Sequence, residues 1–110
     1  MRTINLKENN NSVEQALFFM EQEINLCKLE GTPMFKIITG YGSHGKGGLI
    51  KNACETRLKQ LKQKGVILDF IQGDLWNMHY APALKYKTMH PSISDEDFNI
   101  PNGGITIIIL

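Results

Sequence analysis

Apolar positions along the chain change period several times, and each change marks an element. "TINL" at Thr3 to Leu6 alternates polar and apolar, as a short strand does. Polar "KENNN" then leads to Ser12, which with Gln15 forms a capping box ahead of an apolar stripe. Val13, Leu17, Met20, Ile24 and Cys27 recur at helical spacing, and Gly31 and Pro33 supply the stop. "MFKIIT" (Met34 to Thr39) reads as a β-branched and aromatic strand that ends in a glycine-rich loop. Ile50, Ala53, Cys54, Leu58 and Leu61 predict a second helix from Leu49, ending before Gly65. "VILDFIQ" (Val66 to Gln72) and "ITIIIL" (Ile105 to Leu110) predict two more strands. The unbroken run Ile107 to Leu110 points to an interior strand covered on both faces.

The resulting order is β-α-β-α-β-β. It predicts an α/β domain, a two-layer sandwich of two helices on a mixed four-stranded sheet. Its parallel crossovers should be right-handed. No repeat or second domain is visible in residues 1–110, and a chain that opens on Met1 and closes on a strand is expected to stand alone. Residues 73–104 form a connection unusually long for such a domain, a length that usually marks function or mobility. They carry Trp76, His79, Tyr80, Tyr86 and His90, then acidic "SDED" at Ser94 to Asp97. Trp76 and Tyr80 are expected to fold back over the sheet, with base stacking as the competing role. Ser94 and Asp97 could cap a short helical turn, and the acidic cluster is expected to be solvated.

Composition adds little until charge is mapped. The 110 residues are 42% hydrophobic and 21% charged, with net charge +1, ordinary for a globular domain. The apolar runs are far short of the roughly 20 residues of a membrane span, and no leader pattern opens the chain. Cys27 and Cys54 share no thiol motif and fall within predicted helices, so a reduced, cytoplasmic setting is expected. Charge is segregated: Lys46, Lys51, Arg57, Lys59, Lys62 and Lys64 stand against Glu55 alone between residues 44 and 64, whereas the first helix is acidic. A basic helix beside a glycine loop is an electrostatic footprint for phosphates.

That loop, "IITGYGSHGKGG" at residues 37–48, fits more than one phosphate-binding pattern. Gly40, Gly42 and Gly45 spell the dinucleotide fingerprint, but the acidic partner could only be Asp69, which falls mid-strand. Gly40, Gly45 and Lys46 spell most of a P-loop, and "VILD" has the look of the strand that supplies its second acid. Yet Gly47 stands where a magnesium-binding Ser or Thr belongs, so a nucleoside-triphosphate-binding protein is the weaker alternative. Five glycines in nine positions exceed the needs of a tight turn and favour backbone amides facing an anion, with the next helix N-terminus adding positive charge. Gly40, Gly42, Ser43, Gly45, Lys46, Gly47, Gly48 and Lys51 are the candidate contacts. His44, whose ordinary pKa lies near neutrality, is the candidate for proton transfer. The three histidines share no ligand spacing, so no metal site and no cofactor are expected.

Taken together, "INLK" (Ile4 to Lys7), "VEQAL" (Val13 to Leu17), "KIITGYG" before a helix opening "LIK", and the closing "NGGITIIIL" resemble the Smr (small MutS-related) domain family. The likeness covers most of the chain outside residues 73–101. It implies a compact α/β domain that binds DNA or RNA, with DNA-nicking or RNA-cleaving endonuclease activity in many members. The family's first motif reads L-D-L-H-G or L-D-L-R-G. Here its Asp is Asn5, its His or Arg is Lys7, and the following Gly is Glu8. Asn5 cannot act as a general base, and an ordinary lysine stays protonated at neutral pH, though Lys7 could still stabilise phosphate charge. The resemblance therefore leaves two expectations standing: an endonuclease using His44 and Lys7, or a non-catalytic nucleic-acid-binding module.

Overall fold

The computed structural model describes residues 1–8, 11–40 and 46–110, and the Lys46 side chain also lies outside the description. The elements run β1 (Thr3–Asn5), α1 (Val13–Glu30), β2 (Met34–Ile38), α2 (Lys46–Gln63), β3 (Asp69–Gln72), a 3-10 turn (Gly73–Leu75), α3 (Ala81–Met89) and β4 (Ile105–Ile109). The strands form one sheet in the order β1-β2-β4-β3. β1 and β2 are parallel, and β4 runs antiparallel to both neighbours. The α/β class and mixed four-stranded sheet follow the sequence pattern, while β3 is shorter than predicted. Residues 66–68 are bends, although the Leu68 amide still reaches the Ile109 carbonyl at 2.9 Å.

Local chemistry sets the element ends. Ser12 and Gln15 close the predicted capping box in both directions, at 3.1 and 2.8 Å. Gly31 ends α1 with φ 76°, a left-handed conformation that costs glycine nothing. β4 is buried at all five positions, as an interior strand must be.

Two cores lie on opposite faces of the sheet. On one, Ala16, Met20, Ile24 and Cys27 of α1 and Ile50, Cys54, Leu58 and Leu61 of α2 pack on Phe35, Ile37 and Ile108. Both cysteines are free and buried; burial pushes the Cys54 thiol up to about 11. On the other face, Trp76, Ala83 and Tyr86 cover Met34, Ile71, Ile107 and Ile109. The long connection thus contains a third helix and seals the sheet's second face. Trp76 is fully buried and meets Phe98 edge-on, with ring centroids 5.2 Å apart. Tyr80, expected to share that role, is 36% exposed at the start of α3.

The acidic cluster departs from expectation. Alternation along β2 points Lys36 at the second face, where its side chain is only 6% exposed. Lys36 Nζ donates to Asp95 Oδ1 at 2.5 Å and to Asp97 Oδ2, while Trp76 Nε1 donates to Asp95 Oδ2 at 2.7 Å. Asp95 is therefore buried and fully engaged rather than solvated. A buried ammonium requires such counter-charges, and the segment supplies them.

Candidate nucleic-acid interface

Parallel pairing of β1 with β2 brings the ends of both strands to one edge of the sheet. There the side chain of Lys7 lies on Gly40: a Cβ placed on Gly40 would come within 3.3 Å of Lys7 Cδ. Gly40 has φ 76°, so two independent constraints favour glycine at that position. Its backbone is also pinned from the far side. The amides of Thr39 and Gly40 both donate to the Gly104 carbonyl, at 2.9 and 3.1 Å, and the Gly104 amide donates to Asn102 Oδ1 at 2.9 Å. Gly104 in turn leaves no slack, because a Cβ there would meet the Gly40 backbone at 3.3 Å. The closing "NGG" thus braces Thr39 and Gly40 at the end of β2, a role the sequence did not reveal.

α2 begins at Lys46, so its N-terminus follows the loop at this same edge and adds partial positive charge. Gly48 and Lys51 lie in its first turns. Gly42, Ser43, His44 and Gly45 lie outside the described residues, as does the Lys46 side chain, and Gly47 is placed only as part of the α2 backbone. Further along α2 the basic face is partly neutralised. Arg57 pairs with Glu21 of α1 at 2.7 Å, and Lys62 with Asp69 at 2.9 Å. Lys7, Lys51, Lys59 and Lys64 form no ion pair among the described residues.

Asn5 has a structural task. Its Oδ1 accepts from the Lys7 amide at 3.0 Å, and its Nδ2 donates to Glu8 Oε1 at 3.1 Å. That Asx turn swings the chain off β1 and aims Lys7 across the strand ends. Asn11 Nδ2 steadies the same turn by donating to the Leu6 carbonyl at 3.1 Å.

Asp69, the acid that a dinucleotide or triphosphate site would need, sits at the opposite end of the sheet. It is level with Met34 at the start of β2 and is held by Lys62 and the Tyr86 hydroxyl. Among the described residues no group of three or more His, Cys, Asp and Glu could hold a metal ion, and no helix is long and apolar enough to cross a membrane.

These features define an α/β domain with a braced glycine turn and a lysine across its parallel strand ends. No family model matches the sequence, and no curated protein matches it. The fold does match. The chain is similar to the Smr domain of Thermus thermophilus MutS2 with a TM-score of 0.62, over 100% of this chain and 98% of that one, at 14% identity. The chain has an Smr-like fold.

Proposed function

We propose that the edge formed by Lys7, Gly40 and the start of α2 binds the phosphate backbone of DNA or RNA. The observation that carries this reading is Lys7 stretched over Gly40, directly before a helix N-terminus. Lys7 and the partial positive charge of the α2 N-terminus are the groups offered to phosphate, while the Gly40 amide is already given to the Gly104 carbonyl. Lys51, one turn into α2, extends the positive track.

Binding without cleavage is the first reading, supported by Asn5 and Lys7 standing where the family's motif carries Asp and His or Arg. Asn5 is engaged by its turn, accepting from the Lys7 amide and donating to Glu8. Cleavage is the second reading, motivated by the family resemblance and by His44 within the glycine loop. It predicts strand scission that a His44→Ala variant loses.

Fluorescence anisotropy with short labelled RNA and DNA across a salt series tests the binding reading. Three phosphate contacts on a single strand would give a slope of log affinity on log salt near about −2. Removing Lys7 or Lys51 as alanine should flatten that slope by about 0.7 each. Equal affinity and slope in the Lys7→Ala, Lys51→Ala double variant would discard the proposed surface.

A further inference from the structure

The outward face of α1 is anomalous for a helix in water. Opposite its buried stripe stand Phe18 (60% exposed), Phe19, Leu26 and Leu29 (85% exposed), interspersed with Gln22 and Asn25. No charge falls on this arc. All five charged residues of α1 lie toward its flanks, and four have partners within the chain: Glu21 on Arg57, Glu23 and Glu30 on Arg2, Lys28 on the Val66 carbonyl. A solvated helix normally places its charges on the outer face, and clustered exposed apolar side chains mark interaction sites.

We propose that this face pairs with the same face of a second copy, as an antiparallel two-fold helix dimer. A two-fold interface must be self-complementary, and the order of residues on α1 satisfies that condition. About a midpoint between Glu23 and Ile24, Phe18 and Leu29 are equidistant, and so are Gln22 and Asn25. Antiparallel pairing through that midpoint sets Phe18 of each copy on Leu29 of the other. Each Gln22 then meets an Asn25, two amides that both donate and accept. A shallow groove of about 520 Å³ lined by Gln22, Asn25, Leu26 and Leu29, with Glu23 at its border already paired to Arg2, is open to receive the incoming phenyl ring.

Charge on the flank agrees with the same register. Lys28 of one copy comes level with Glu21 of the other to within about 3 Å along the axis, two residues of helical rise. Lys28 Nζ spends one of its three donors on the Val66 carbonyl, and the opposing Glu21 keeps a second carboxylate oxygen. The surface is distinct from the strand-end edge and does not depend on nucleic-acid binding.

Sedimentation equilibrium over a wide concentration range tests the proposal. The wild-type mass should rise from 12.4 kDa toward twice that value. Leu29→Glu and Phe18→Glu should each hold it at 12.4 kDa, with unchanged far-UV circular dichroism because both side chains are exposed. Register is read by mixing Phe18→Cys with Leu29→Cys under oxidation. The mixed disulfide should dominate over either self-linked species. A wild-type protein monomeric at its highest concentration, dimers indifferent to both glutamates, or dominant self-linked Phe18→Cys would each overturn it.

Discussion

Lys36 shows how far one side chain can organise a fold. It projects from a central strand into the apolar second face, and only the carboxylates of Asp95 and Asp97 make that placement tolerable. Burial alone would raise the Asp95 pKa, but hydrogen bonds from Lys36 and Trp76 outweigh it and the net shift is downward. Lys36 shifts upward, its own burial outweighed by the two aspartates. The signs give a pH window. A depressed Asp95 contributes stability that is fully present above its unfolded pKa, about 3.9, and lost as pH falls through the lower folded value. Lys36 contributes below about 10.4 and loses that contribution as pH climbs through its raised folded value. Lys36→Met should cost about 3–5 kcal/mol near neutrality, because it strands a buried carboxylate. Urea midpoints in the wild type should then hold from pH 7 down to about 4 and fall below it, yet stay level or rise on acidification in Lys36→Met, where protonating Asp95 relieves the unpaired charge. Parallel acid limbs in the two proteins would contradict the account. The sequence showed Lys36 as a polar residue in an apolar strand, and "SDED" as an acidic run. Nothing in either pattern linked positions 59 and 61 residues apart.

At the scale of elements, legibility followed the length of the apolar stripe. α1 bears four buried side chains behind a capping box, and its boundaries could be read directly. α3 buries only Ala83 and Tyr86 in nine residues while exposing Leu84 and Met89, so no stripe announced it. The strand-end edge was half legible. Glycine density marked the loop, whereas the brace from Gly104 and Asn102 depends on β4 returning beside β2, a long-range pairing. Two glycines give a contrasting prediction. Ala at position 31 meets nothing within 4 Å and suffers only from φ 76°, a cost of about 1 kcal/mol. A methyl at position 73 would strike the Asn102 carbonyl oxygen and Ile105 Cγ1, forcing the β3–β4 junction apart. Gly73→Ala should therefore cost more, up to about 3 kcal/mol. Denaturation midpoints ranking the two the other way would show that the junction yields easily.

For the whole molecule, the two cores share β2 and β4, with Phe35 and Ile108 facing one and Met34 and Ile107 the other. Neither face can lose its cover without exposing strands that the other also needs. We propose that the chain unfolds as one cooperative unit. Trp76, the single tryptophan, reports the second face by fluorescence, while far-UV circular dichroism is dominated by α1 and α2 on the first. The two denaturation curves should coincide. A separated Trp76 transition would mean that residues 73–104 are a detachable layer.

The position of β4 bears on biogenesis. Made after its three sheet partners, this strand fills the slot between β2 and β3 and contributes hydrogen bonds to both. During translation, a nascent polypeptide halted at residue 104 would hold its other strands with an open gap at the centre. Closure must await synthesis of residue 109, leaving the gap's backbone edges exposed to chaperones or to misplaced neighbours until then.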